Sequence, residues 1–236
     1  KYSDPAEFIP IYKEAVPLLE IYLDTNIRTA NVRNYIIQKL TDIGVYGQAL
    51  KQSYRAIEAN HVKDKSDSII NNLMIYGKLV FLYEKTGLVD SIFSICQTAV
   101  NCARNHPNQF WLSSAYNNAG YYFQKYGNYE SAMNYYLLSD SILNTRTVLP
   151  EVWYYFQGSV KDNMAKIYEE QNDFEKARDI YAINFTQRYK NNTSLLWRRV
   201  NAGISLANAE IQLANYVQAK KIIDQTELLF NALDHP

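Results

Sequence analysis

One recurrence constrains this chain more than any other feature. Five times, a turn position is followed two residues later by Tyr, Val or Phe, and three residues after that by Ala or Ile. The sets are Gly44, Tyr46, Ala49; Gly87, Val89, Ile92; Gly127, Tyr129, Ala132; Asn172, Phe174, Ala177; and Ala214, Tyr216, Ala219. Their last members are separated by 43, 40, 45 and 42 residues. A near-constant step of this length means that one supersecondary unit is repeated, and each unit completes its core only by stacking on its neighbours.

The third unit shows what the repeated element is. Tyr116, Ala119, Gly120 and Phe123 fall at i, i+3, i+4 and i+7, which predicts one stripe of an α-helix. Gly127-Asn128 ends that helix, because both residues tolerate the left-handed conformation of a C-terminal cap. A second stripe follows at Tyr129, Ala132, Tyr136 and Ser139. Gly120 and Ala132 are small enough to let the two helices approach closely, with Tyr129 and Tyr136 filling the space beside them. Ala165/Ala177 and Ala207/Ala219 repeat the small pair in the fourth and fifth units. The first two units carry Ile37/Ala49 and Val80/Ile92 instead, which predicts wider packing in the second.

A helix pair with small residues on both helices and an aromatic after the turn closely resembles the tetratricopeptide repeat (TPR). The resemblance runs from Asn31 to Phe230, although the step exceeds the family's usual spacing of about 34 residues. It implies an all-α, right-handed α-α superhelix of five helix pairs preceded by an N-terminal helix. Read this way, residues 1–236 form a single TPR-like array. An opening helix spans 1–25, started by Asp4-Pro5-Ala6-Glu7 and kinked at Pro17. The pairs span 31–62, 68–105, 109–144, 150–190 and 193–232.

Composition narrows the function. Lys plus Arg number 24 and Asp plus Glu 24, so no global field draws the chain to nucleic acid or an anionic surface. Tyrosine is abundant at 21 residues, which suits helix interfaces where the ring packs and the hydroxyl reaches the edge. No apolar run approaches the roughly 18 residues needed to cross a membrane. Cys96 and Cys102, six apart on one predicted helix, face away from each other and read as small apolar residues. The chain opens at Lys1-Tyr2-Ser3 and closes at Asp234-His235-Pro236, and reads as a segment of a longer protein.

Nothing in the residue pattern predicts catalysis or a metal. His61, His106 and His235 fall in predicted links or at the terminus, without a partner at metal-ligand spacing. Phosphate-binding glycine loops and nucleophile elbows are missing from the sequence. Glu169, Glu170 and Asp173 read as a solvated helix end, and the pairs Arg198-Arg199 and Lys220-Lys221 as exposed helix faces. The expectation is a non-enzymatic chain with no cofactor.

The resemblance implies that first helices line a concave groove. On the third unit's first helix, Asn117, Tyr121 and Gln124 turn away from the apolar stripe, with Asn118 beside them. The fourth unit offers Asp162, Lys166 and Glu169, with Asn163 adjacent. The first offers Asn34, Gln38 and Thr41, and the fifth Asn201 and Asn208. Amides donate and accept, so a ladder of them suits an extended peptide backbone. The competing reading is compositional, since Asn is frequent throughout the chain. The candidate partner-binding set is therefore Asn34, Gln38, Asn117, Asn118, Tyr121, Gln124, Asn163, Lys166 and Asn208. Of the family's carboxylate clamp only Asn118, Asn163 and Lys166 have an echo, without the accompanying basic residues.

The long step and Tyr- and Asn-rich helices are similar to the sensory repeat domains of bacterial regulators. The function expected on that basis is capture of a protein or peptide, as the regulatory segment of a larger signalling or transcription regulator. The alternatives are a scaffold for an envelope or secretion complex, or an enzyme built on a helical array. Direct nucleic-acid binding and membrane insertion are not expected, and a homodimer is left open. The compartment expected is the cytoplasm, or an extracytoplasmic sensor segment of a membrane-anchored protein.

Overall fold

The computed structural model describes residues 9–10, 12–14, 27–60, 65–145, 151–186 and 193–234. Among them ten α-helices run in sequence: α1 (Ile27–Asp42), α2 (Tyr46–Asn60), α3 (Lys65–Thr86), α4 (Asp90–Ala103), α5 (Phe110–Lys125), α6 (Tyr129–Asn144), α7 (Glu151–Glu170), α8 (Phe174–Thr186), α9 (Thr193–Gln212) and α10 (Tyr216–Asp234). No strand occurs among the described residues. Residues 9–10 and 12–14 are helical. The predicted kink at Pro17, and His61 and His235, lie outside the described residues.

The turn positions that set the repeat are the places where the backbone leaves the helix. Gly44, Gly87, Gly127, Asn172 and Ala214 have φ of 77°, 76°, 78°, 61° and 59°. Each supports the same pair of bonds. Val45 N donates to Leu40 O at 2.8 Å, Leu88 N to Tyr83 O at 2.8 Å, Asn128 N to Phe123 O at 2.9 Å, Asp173 N to Tyr168 O at 2.8 Å and Asn215 N to Glu210 O at 2.8 Å. The left-handed residue also donates to the carbonyl three residues back, as in Gly127 N to Gln124 O at 2.9 Å. This is the Schellman end, which satisfies carbonyls that a helix terminus would otherwise leave open. The following residue then starts the next helix: the Asn128 side chain accepts from Ser131 N at 3.1 Å, and that of Asp173 from Lys176 N at 3.3 Å.

The chain divides into two compact units, Lys1–Ala119 and Gly120–Pro236, with the boundary inside α5. In the first unit α1 packs on α2, α2 on α3, α3 on α4, and α1 also reaches α3. Its core joins Ile36, Leu40, Ala49 and Leu82, with Tyr12, Ile43 and Val45 against them. In the second unit α6 packs on α7, α7 on α8, α8 on α9 and α9 on α10, and α7 reaches α9. Its core joins Ala165, Ala177, Tyr181, Phe185, Ala202, Leu206, Ala207 and Ile222. Every pair position read from the repeat is buried, from Ile37 and Ala49 through Val80 and Ile92 to Ala207 and Ala219.

Gly120, Gly158 and Gly203 receive side chains from neighbouring helices. A Cβ on Gly120 would stand 2.6 Å from Cε1 of Tyr136. At Gly158 it would collide with the Arg198 guanidinium, and at Gly203 with Thr226 and Phe185.

Candidate functional site

The outward stripe of the first helices divides into two kinds of position. Asn34, Gly77, Asn117, Asp162 and Ile204 are equivalent by the repeat, as are Thr41, Glu84, Gln124, Glu169 and Ile211. In the third and fourth units Gln124, Asp162 and Glu169 of these lines bond to neighbouring helices. Tyr136 donates to Gln124 Oε1 at 2.9 Å, and Gln124 Nε2 donates to Glu170 Oε1 at 3.3 Å. Tyr181 donates to Glu169 Oε2 at 3.0 Å, repeating the Tyr136 bond one unit later. In both places burial and the neighbouring carboxylate push the tyrosine hydroxyl's ionisation well above its ordinary value.

Asp162, expected to face the groove, is instead the acceptor of an interhelical network. Arg198 Nη2 donates to its Oδ2 at 2.6 Å and Asn184 Nδ2 to its Oδ1 at 2.5 Å. Arg198 Nη1 donates to Ser159 Oγ at 2.7 Å, and the guanidinium stacks 5.0 Å from the Tyr155 ring centroid. Desolvation raises the Asp162 carboxyl above its ordinary range, against the pull of Arg198, Asn184 and Lys166. Arg198 is 6% exposed, which corrects the reading of Arg198-Arg199 as an exposed basic face. The arginine is buried because Gly158 leaves room for it and Asp162 neutralises it. Arg199 is half-buried and donates from Nε to Phe185 O at 3.0 Å.

A third line holds the exposed positions: Gln38, Phe81, Tyr121, Lys166 and Asn208 are equivalent by the repeat, and every one is exposed. Asn118 is exposed as well, whereas Asn117, Gln124 and Asn163 are half-buried. Asn34 is buried, and its backbone oxygen accepts from Lys78 Nζ at 2.7 Å. Its side-chain Oδ1 is buried without a hydrogen-bond partner. Asn34 is therefore not surface-accessible in this conformation.

In the first unit this line opens into a cavity of about 500 Å³ between α1 and α3. Gln38, Thr41, Asp42 and Tyr46 form one wall, and Met74, Gly77, Lys78, Phe81 and Lys85 the other. Of the candidates, Gln38 lines it, its Nε2 donating to Asp42 Oδ1 at 2.8 Å. The opposite wall follows helical spacing along α3, on the side away from the buried Ile75, Leu79 and Leu82. Met74 and Phe81 are exposed apolar side chains on that wall. A Cβ at Gly77 would meet no atom within 4 Å, so the glycine faces open space. Lys85 Nζ sits 5.2 Å from the Phe81 ring centroid. Burial lowers the ionisation of Lys78, against the opposing charge of Asp42. None of the partner-binding candidates read from the sequence lies on α3. The repeat register held the signal, since Lys78 and Phe81 correspond to Asn118 and Tyr121.

The cavity can grip an apolar group between Met74 and Phe81, with the Gln38 amide and two lysines at its edge. No group of His, Cys, Asp and Glu among the described residues could hold a metal ion. The buried His106 accepts from Asn108 N at 3.0 Å and meets Trp111 edge-on. No described helix is long and apolar enough to cross a membrane.

No family model and no curated protein matches the chain. Solved structures do match its fold. BtubC (BKLC) from P. vanneervenii aligns at a TM-score of 0.68 and 14% identity over 86% of this chain and 83% of its own. Kinesin-light-chain TPR-like repeats of Podosopora anserina align at 0.61 and 14% identity, over 87% and 97% of the two chains. The apo form of RapI aligns at 0.56 and 10% identity, over 97% and 92%. The chain is thus an all-α protein with the tetratricopeptide-like helix-pair fold.

Proposed function

We propose that the chain is a non-catalytic interaction domain that captures a protein or peptide on the exposed line of its first helices. The cavity between α1 and α3 supports this reading most directly. It combines exposed apolar side chains, an amide and cations over a volume that fits one or two side chains of a partner. Tyr121 on α5, Lys166 on α7 and Asn208 on α9 are the corresponding contact positions, with Asn118 and Asn163 flanking the first two. The partner's binding serves regulation, with the chain acting as the sensory segment of a larger signalling or transcription regulator. The repeat step and the Tyr- and Asn-rich helices support that context.

Selection of peptides from a random display library against the whole chain, followed by fluorescence anisotropy, tests the reading. Phe81→Ala removes an aromatic anchor and is expected to weaken a selected peptide by about tenfold or more. Selected peptides that bind Phe81→Ala and Gln38→Ala as tightly as wild type would overturn the assignment of this cavity.

A further inference from the structure

The last helix pair breaks a pattern that the two before it keep. At the inter-pair positions the third and fourth units carry Asn117 and Asp162, Gln124 and Glu169, and Tyr136 and Tyr181. The fifth carries Ile204, Ile211 and Ile223. In the fourth unit that face is covered by α9, whose Arg198 meets Asp162 and Tyr155. In the fifth it is open: Ile204 is 59% exposed, Ile211 41% and Ile223 48%. The apolar substitutions form a ladder. Trp197, Ile204 and Ile211 stand at i, i+7 and i+14 on α9, and Tyr216, Ile223 and Phe230 do the same on α10. All six are exposed, and the Trp197 and Phe230 rings meet edge-on at 5.6 Å. A heptad-spaced apolar seam on each of two antiparallel helices is the pattern of half a four-helix bundle.

We propose that the occupant of this face is a second copy of the chain, docked through the α9–α10 hairpin about a two-fold axis that crosses both helices near Ile204 and Ile223. The face is complementary to itself under that operation. Each helix lies antiparallel to its own copy, so Ile204 meets Ile204, Ile223 meets Ile223, Trp197 meets Ile211 and Tyr216 meets Phe230. Lys220, which also pairs with Asp224 of its own helix at 3.4 Å, and Glu227 are exposed and lie on the same flank of the α10 seam, three residues before and four after Ile223. The two-fold therefore brings each lysine to the other copy's glutamate. The alternative axis, parallel to the helices, would set α10 against the partner's α9 and leave Lys220 opposite the Ala207–Asn208 level, without an anion. Two helices of 20 and 19 residues present a footprint of roughly 500 Å² per copy. The total of about 1,000 Å² reaches the threshold of a specific interface and points to a reversible dimer with a dissociation constant on the order of micromolar.

Sedimentation equilibrium on the whole chain, at concentrations up to the order of 100 μM, tests this. The expected mass is twice the 27.4 kDa of one chain, falling towards one chain on dilution. Ile223→Glu, with unchanged helical circular dichroism, is expected to be monomeric. Ile204→Lys, at the most exposed isoleucine of the seam, is a second disruption should the first lose helicity. Lys220→Glu and Glu227→Lys should each weaken the dimer about tenfold, and the double exchange should restore it. A wild type that is monomeric throughout, its face then being left to some other helix, would overturn the proposal. So would a dimer that survives both seam variants, or a charge exchange that fails to restore association.

Discussion

The Tyr136 ring occupies the space that a side chain at position 120 would need. A Cβ on Gly120 would lie 2.6 Å from its Cε1 and 2.7 Å from its Cδ1. The ring is fully buried and its hydroxyl is held by Gln124, so it has little room to move aside. Gly120→Ala is expected to lower stability by about 1–3 kcal/mol, measured by urea unfolding. Combining it with Tyr136→Leu should cost less than the two singles together, because the smaller side chain removes the collision.

Ala214 holds the left-handed turn conformation that glycine holds in the first three units. An L-residue is strained there, at a cost of about 1 kcal/mol. Ala214→Gly is expected to stabilise the chain by roughly 0.5–1 kcal/mol, while Gly127→Ala destabilises it by a similar amount. Thermal unfolding of the two variants should shift in opposite directions.

Arg198 and Asp162 depend on each other. Arg198→Ala leaves a largely enclosed carboxylate without its cation, and is expected to cost about 3–5 kcal/mol. Arg198→Met with Asp162→Leu removes both charges and should recover most of that loss. Chemical denaturation of the three variants measures the difference.

These residues mark where the fold was legible and where it was not. The turn positions were readable because a left-handed residue and the small position five residues later are local, and the step repeats them. The small pairs were readable for the same reason. Arg198 was not, since its burial depends on Gly158 and Asp162 some forty residues earlier, contacts that no spacing within α9 announces. Asn34 reads as an outward amide by spacing, but it is buried, with its backbone oxygen held by Lys78 from another helix. The α3 wall followed the register that named Tyr121, but Gly77, Lys78 and Phe81 are chemically unlike an amide ladder. A rule based on residue type passed over them.

Cys96 is buried, and desolvation pushes its thiol up to about 12. Cys102 is half-buried and shifted in the same direction by the same cause. Neither thiol is appreciably ionised near pH 8 in the folded chain, so reaction with Ellman's reagent should be slow. Both are expected to react rapidly once urea unfolds the protein. Fast modification of Cys96 in the native state would contradict its packing.

The claim that the exposed line of the first helices is the working surface is tested most directly by amide chemical shifts. A display-selected peptide would be titrated into the isotopically labelled chain and the perturbed residues mapped. The largest shifts are expected at Gln38, Gly77, Lys78 and Phe81, with the Gly77 amide reporting on the opening itself. Shifts confined to the second helices α2 and α4, with Gly77 and Phe81 unmoved, would contradict the account.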